Sequence, residues 1–136
     1  MSDTQNLAYS LVQVAHNLGA VAAVGGSLAA MRSRGPGIRR RLAGLVLAGW
    51  TVQGVSGAAF GAVSYHFYHR LPDLAGIALT ALGIKVSCVA AGGLLLATYL
   101  LRGADWPPDR IDAVWRASSA LAVTALSAAA FLRWFA

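Results

Sequence analysis

The chain has 136 residues, of which 57% are hydrophobic and only 12% charged, and its net charge is +6. A soluble domain carries about a quarter charged residues, and a soluble bundle of buried helices needs a polar helix face that no segment here shows. The positive charge is no nucleic-acid footprint either, because most of it is gathered in short loops, and no nucleic-acid partner is expected.

Four apolar runs, roughly 7–30, 42–64, 74–101 and 113–132, each have the length a helix needs to cross a bilayer, on the order of 20 residues. The first predicts a helix over about 7–31. The six residues before it carry Asp3 and no basic residue, so a cleaved signal peptide is not expected. Within this run, "VQVAHNLGAVAAVGG" places His16 on one stripe with Gly19, Ala23 and Gly26. Small residues let membrane helices approach closely, so His16 is expected to face the protein interior.

The first loop, "RSRGPGIRRR", holds Arg32, Arg34, Arg39, Arg40 and Arg41, punctuated by glycine and proline. The second helix is expected over about 41–66, with Gln53 at membrane depth and Gly54, Gly57 and Gly61 as a seam, the last two in a GxxxG spacing. The loop that follows, "YHFYHRLPD", has Arg70 as its only strongly basic residue. His66 and His69, three apart, share a face if the helix continues that far.

Pro72 opens a third helix over about 73–101. It carries Lys85, Cys88, Gly92 and Gly93, with Lys85, Cys88 and Gly92 on one face. The single cysteine has no partner for an internal disulfide. "GADWPPD" is a rigid third loop bracketed by Arg102 and Arg110. The fourth helix, over about 110–133, has Asp109 and Asp112 near its positive dipole end. Asp112 and Arg116, four apart, are expected to pair. Ser118, Ser119 and Ser127 lie on an Ala-rich helix, where hydroxyls bond the backbone or a neighbouring helix. Trp50, Trp106, Trp115 and Trp134 are candidates for interface anchors, and Arg133 snorkels to the headgroups beside Trp134.

Short loops rich in arginine stay in the cytoplasm. The expected architecture is therefore all-α: one integral-membrane domain over 1–136, an up-down-up-down four-helix bundle in the cytoplasmic (inner) membrane. Both termini then lie on the outer or periplasmic side, and the partners are the bilayer and other membrane subunits.

Counting from the basic boundaries gives depth. His16 is sixteen residues before Arg32, Lys85 seventeen before Arg102, and Gln53 twelve after Arg41. His16 and Lys85 are thus level, somewhat outside the midplane, and Gln53 is about a turn deeper. With Gln13 and Asn17 flanking His16, a small polar cluster is expected. All five acids lie at or beyond helix ends, so Lys85 has no carboxylate at its own depth. It is neutral beside His16, or reaches water, or pairs with something outside the chain. An ionisable residue inside a membrane is a functional-site hypothesis by default.

His16 is also a candidate haem ligand. Clamping one iron between His16 and His66 is disfavoured, because a nine-residue offset at 1.5 Å per residue separates them by about 13 Å. Single-His ligation by His16, with propionates reaching Lys85 or outer-loop groups, fits the count better. His66 and His69 can begin a copper or zinc site, which needs three or four ligands. Soft copper ligands are scarce, with only Met1, Met31 and Cys88 present. No catalytic constellation for hydrolysis is visible, and an enzyme is not expected.

His16 followed nine and ten positions later by Gly25-Gly26, Lys85 at the head of "KVSCVAAGGLLLATYL", and the basic opening of "WRASSALAVTALSAAAFL" together resemble the copper-resistance protein D (CopD) family of membrane domains. That family's last helix often has an acid after the basic residue, where this chain has Ala117 and Ser118. Its larger members add helices and soft-metal ligands that this chain lacks. The resemblance implies a compact bundle with a polar interior facing outward, close to copper or haem proteins.

Three readings follow. The first is a small non-catalytic subunit of a redox complex that binds haem b or a quinone-like ligand, or anchors the complex, with His16, Asn17, Gln53 and Lys85 as binding residues. The second is a copper-handling protein using His16, His66 and His69. The third is a purely structural bundle.

Overall fold

The computed structural model describes residues 2–135. They form four long helices, α1 (Asp3–Arg32), α2 (Pro36–Tyr68), α3 (Gly76–Arg102) and α4 (Pro108–Phe135), with one 3₁₀ turn at Gly103–Asp105 and no strand. All four helices are long and apolar enough to cross a membrane.

The helices begin and end where local chemistry dictates, often beyond the limits set by hydrophobicity. α1 starts four residues earlier than its apolar run suggests. The Ser2 hydroxyl caps it by accepting from the Gln5 backbone N–H at 3.3 Å, and Asp3 sits in the first turn. α2 starts at Pro36, well before Arg41, because proline suits a first helical turn whose N–H groups have no intrahelical acceptor. It ends at His69, whose left-handed conformation (φ 54°) returns its N–H to Tyr65 O. α3 begins later than expected. Pro72 does not open it; residues 71–75 have no regular structure, and Gly76 turns the chain with φ +55°, a region favouring glycine. α2 is six residues longer than α3, a difference of about 9 Å of helix.

The buried face of α1 is built mainly of small residues, its exposed face largely of large apolar ones. Gly19, Ala23, Gly26 and Ala30 of α1 are buried, while Leu11, Val14, Leu18 and Val21 are exposed. A surface of this kind contacts lipid. α1 and α2 touch backbone to backbone: a Cβ on Gly49 would lie 2.8 Å from Ala23 N and 2.9 Å from Gly19 O. α1 and α4 are joined by the wholly buried Ser27 and Ser118, whose hydroxyls are 2.7 Å apart. The anticipated seam at Gly57 and Gly61 is absent. Gly57 has no neighbour within 4 Å of a built Cβ, and Gly61 meets only a Leu71 methyl at 3.8 Å.

The apolar core lies in the arginine-rich half of the molecule. Trp50, Leu96, Tyr99 and Trp115 fill it together with Val46 and Ala30. Gly92 makes room for the Trp50 ring, which stands 2.4 Å from where a Gly92 Cβ would be. Trp115 packs edge-on against Tyr99. Trp50 and Trp115 are therefore core residues rather than interface anchors, whereas Trp134 is exposed and Trp106 stacks beneath Arg110. The expected Asp112–Arg116 pair does not form. Asp112 instead accepts from Arg39 at 2.8 Å, across from α4 to α2. The Arg39 side chain is better buried than a surface arginine, so it offers the stronger partner.

Candidate functional site

In the other half of the molecule the interior turns polar. Lys85 lies on the buried stripe of α3, between Ala81 and Cys88. Both neighbours are buried, yet Lys85 itself is part exposed. His16 holds the corresponding place on α1, one turn from buried Gly19. His16 and Lys85 are thus only partly enclosed by the bundle, unlike Trp50.

Lys85 Nζ lies 2.6 Å from His16 Nε2, and His16 Nδ1 lies 2.7 Å from Ser56 Oγ. The Ser56 hydroxyl also donates to Val52 O, one helical turn back. The roles at His16 follow from where the Ser56 hydrogen goes. Ser56 has a single hydrogen; with it on Val52 O, Nδ1 carries the imidazole proton and donates it to Ser56 Oγ. Neutral imidazole has one remaining lone pair, on Nε2, and this accepts from Lys85 Nζ. A directed chain runs Lys85, His16, Ser56, Val52 across three helices. Gln53 adds a clamp, its amide donating to His16 O. A helix carbonyl points towards its own C-terminus, and Gln53 approaches from that side, one turn deeper as the depth count requires.

Above this chain the α1–α2 seam is lined with aromatic rings. Phe60 stands edge-on to His16 with centroids 5.7 Å apart, and Tyr9 stacks on Phe60. Gln5 donates to the Tyr68 hydroxyl at 2.7 Å near the helix ends.

His16, Lys85 and Gln53 thus meet, as the depth count anticipates. Asn17 does not join them. It faces outward and accepts from Gln13 on the exposed side of α1, where the pair lies among Val14, Leu18 and Val21. His66 and His69 do not share a face, because the helix ends at Tyr68 and His69 has left-handed backbone; both are exposed. Ser56 was not among the expected residues, although the same count finds it: it is fifteen residues after Arg41, level with His16.

The arrangement bears directly on the metal and haem expectations. Among the described residues no three or more His, Cys, Asp or Glu side chains converge. Cys88 is packed in the apolar core, and Met31 Sδ accepts from Ser119. These donors do not fit a copper site. Both nitrogens of His16 are already bonded, so iron ligation requires Lys85 or Ser56 to leave. One turn further on, the α1 and α2 backbones touch at Gly19 and Gly49, which leaves no width for a macrocycle between them.

Replacing Ser56 with alanine removes the acceptor for His16 Nδ1–H. We expect a loss of about 1–2 kcal/mol, the cost of an unsatisfied buried donor. We also expect a shift towards the Nε2–H tautomer, read from the imidazole ¹⁵N resonances. A parent-like spectrum would show that Ser56 does not set the tautomer.

No family model, curated protein or solved structure matches the chain.

Proposed function

We propose that the protein is a small, non-catalytic, multi-pass subunit of the cytoplasmic membrane. Its outer half presents Lys85 to an acceptor-bearing ligand, of which a quinone-like head group is the best-suited class. The arginine-rich connectors support a cytoplasmic placement for their end of the molecule and an up-down-up-down path with both termini outside. On that orientation the Lys85–His16–Ser56 chain lies in the outer half of the bilayer.

One observation carries the reading. Lys85 has at least one N–H beyond the bond to His16, and it makes no ion pair among the described residues. An amine on the interior stripe of a membrane helix costs a few kcal/mol unless an acceptor meets it. A quinone carbonyl is such an acceptor. It is flat, largely apolar and membrane-soluble, and it suits a site where Phe60 stands edge-on to His16 and Tyr9 stacks on Phe60. His16 orients the amine, and Ser56 and Gln53 hold His16.

A second reading is supported by the Gln13–Asn17 pair. After their mutual bond, the Asn17 amide and the Gln13 carbonyl still have unmet hydrogen-bonding capacity on an otherwise apolar helix face. A polar group facing hydrocarbon is satisfied when a neighbouring helix covers it. On this reading the acceptor for Lys85 is a carboxylate of an adjoining subunit.

The test is solvent extraction of the purified, detergent-solubilised protein with chromatographic quantification of quinone, beside oxidised and dithionite-reduced spectra. The parent is expected to carry near-stoichiometric quinone and no Soret band, and Lys85→Met to lose it about tenfold, the worth of one good hydrogen bond to a charged group. A quinone-free parent overturns the ligand reading. If its native size still falls with Lys85→Met, the carboxylate reading takes its place. A Soret band would return His16 to iron.

A further inference from the structure

At the arginine-rich end a second site opens between α1, α2 and α4. It is a cleft of about 450 Å³, walled by Met31, Arg34, Arg39, Asp112, Trp115 and Arg116. It lies far along the helices from Lys85 and belongs to a different part of the chemistry.

The basic residues near this end are not equivalent. Arg39 is committed: it pairs with Asp112 at 2.8 Å, and its Nε donates to Ser33 O at 2.6 Å. Arg40 donates to Leu100 O, and Arg110 stacks over the Trp106 ring at 4.0 Å. Arg34 and Arg116 line the cleft, and neither makes an ion pair or a side-chain hydrogen bond among the described residues. Three guanidinium groups against one carboxylate leave the cleft with an excess of two positive charges. The cleft is therefore rich in unmet donors and poor in acceptors.

From this we infer that the cleft binds the phosphodiester of an anionic phospholipid. A phosphodiester offers two non-bridging oxygens, and guanidinium forks match such oxygen pairs with charge-assisted bonds. The level is right as well. The cleft sits where the apolar helix surfaces give way to charged connectors, the depth at which lipid phosphates lie. Met31 and Pro108, both exposed, supply apolar wall for the glycerol and upper acyl carbons. Basic pockets between membrane helices on this side bind anionic head groups. Arg39 and Asp112 form the fixed back wall, while Arg34 and Arg116, free to move, close on the phosphate.

Native mass spectrometry of the detergent-solubilised full chain tests this with three probes: dioleoyl phosphatidylglycerol, dioleoyl phosphatidylcholine and inorganic phosphate. The parent is expected to retain phosphatidylglycerol about tenfold better than phosphatidylcholine, and Arg34→Gln with Arg116→Gln to abolish that preference. The control is Arg32→Gln with Arg41→Gln, which removes the same charge at the same end but outside the cleft, and it should keep the preference. All four arginines are exposed, so helical content by circular dichroism should not change in either variant. The proposal fails if the cleft variant keeps its preference or if the control loses it equally. It fails also if millimolar inorganic phosphate displaces the lipid, which would make the site one for soluble phosphate.

Discussion

Gly49→Leu separates α1 from α2 and is expected to be the most destabilising single substitution on the α1–α2 seam. A Cβ there lies within 3 Å of backbone atoms of Ala23 and Gly19. Backbone cannot rotate aside as a flexible side chain does, so the two helices must part. Parting them also opens the contact between Gly26 and Val46 further along the same seam. Overpacking costs 1–3 kcal/mol in ordinary cores, and a backbone clash belongs at the upper end. The expected loss is about 3 kcal/mol, or roughly 10 °C in the unfolding midpoint. The paired control is Gly57→Leu, which adds the same side chain to the same helix. Gly57 has open space around it, so its midpoint should stay within about 2 °C of the parent. Thermal unfolding in detergent reads both. Equal losses at the two positions would mean that the α1–α2 contact is not where the structure places it.

The contrast between Gly49 and Gly57 shows what the chain's own pattern does and does not reveal. Four apolar runs of bilayer length are a property of composition, and four helices follow from it directly. Seam residues are not, because a helix as rich in glycine as α2 offers several stripes of small residues. Gly57 and Gly61 have the more conspicuous spacing, but Gly49 is the one that meets a glycine on α1. The meeting of His16 with Lys85 was legible because depth can be counted from charged boundaries, and depth is one-dimensional. Rotation about the helix axis is harder to count. Gln13 and Asn17 are at the right depth and on the wrong side, set by the Gly19–Ala23–Gly26 stripe that fixes which face of α1 turns inward. Asp112 illustrates a third limit: its partner four residues on is always within reach, but a half-buried arginine from another helix competes better, and only the packing of α2 against α4 brings Arg39 there. Helix starts differ from the apolar runs for a related reason. Hydrophobicity marks where lipid contact stops, whereas Ser2 and Pro36 mark where the backbone starts to coil, and these are different physical events.

Lys85→Met is expected to leave the fold as stable as the parent or more so, while weakening what Lys85 binds about tenfold. Two effects compete. Removing the amine deprives His16 Nε2 of its donor, a loss of about 1 kcal/mol. Against this, a lysine in a membrane segment costs about 2.5–3.5 kcal/mol at the bilayer centre on insertion scales, and less toward the ends. Methionine matches the length of the lysine stem and removes that cost. The sum favours the variant by about 1 kcal/mol, since Lys85 lies off-centre. A residue kept for stability alone behaves in the opposite way, because its loss lowers the unfolding midpoint. The pairing with His16 can be isolated with His16→Leu and the double variant, whose coupling energy reports the Lys85–His16 bond free of the insertion effect. A small coupling with a raised midpoint and lost ligand assigns Lys85 to binding. A large coupling with a lowered midpoint and unchanged composition makes the pair a structural clamp between α1 and α3, and removes the chemical reason for a ligand at Lys85.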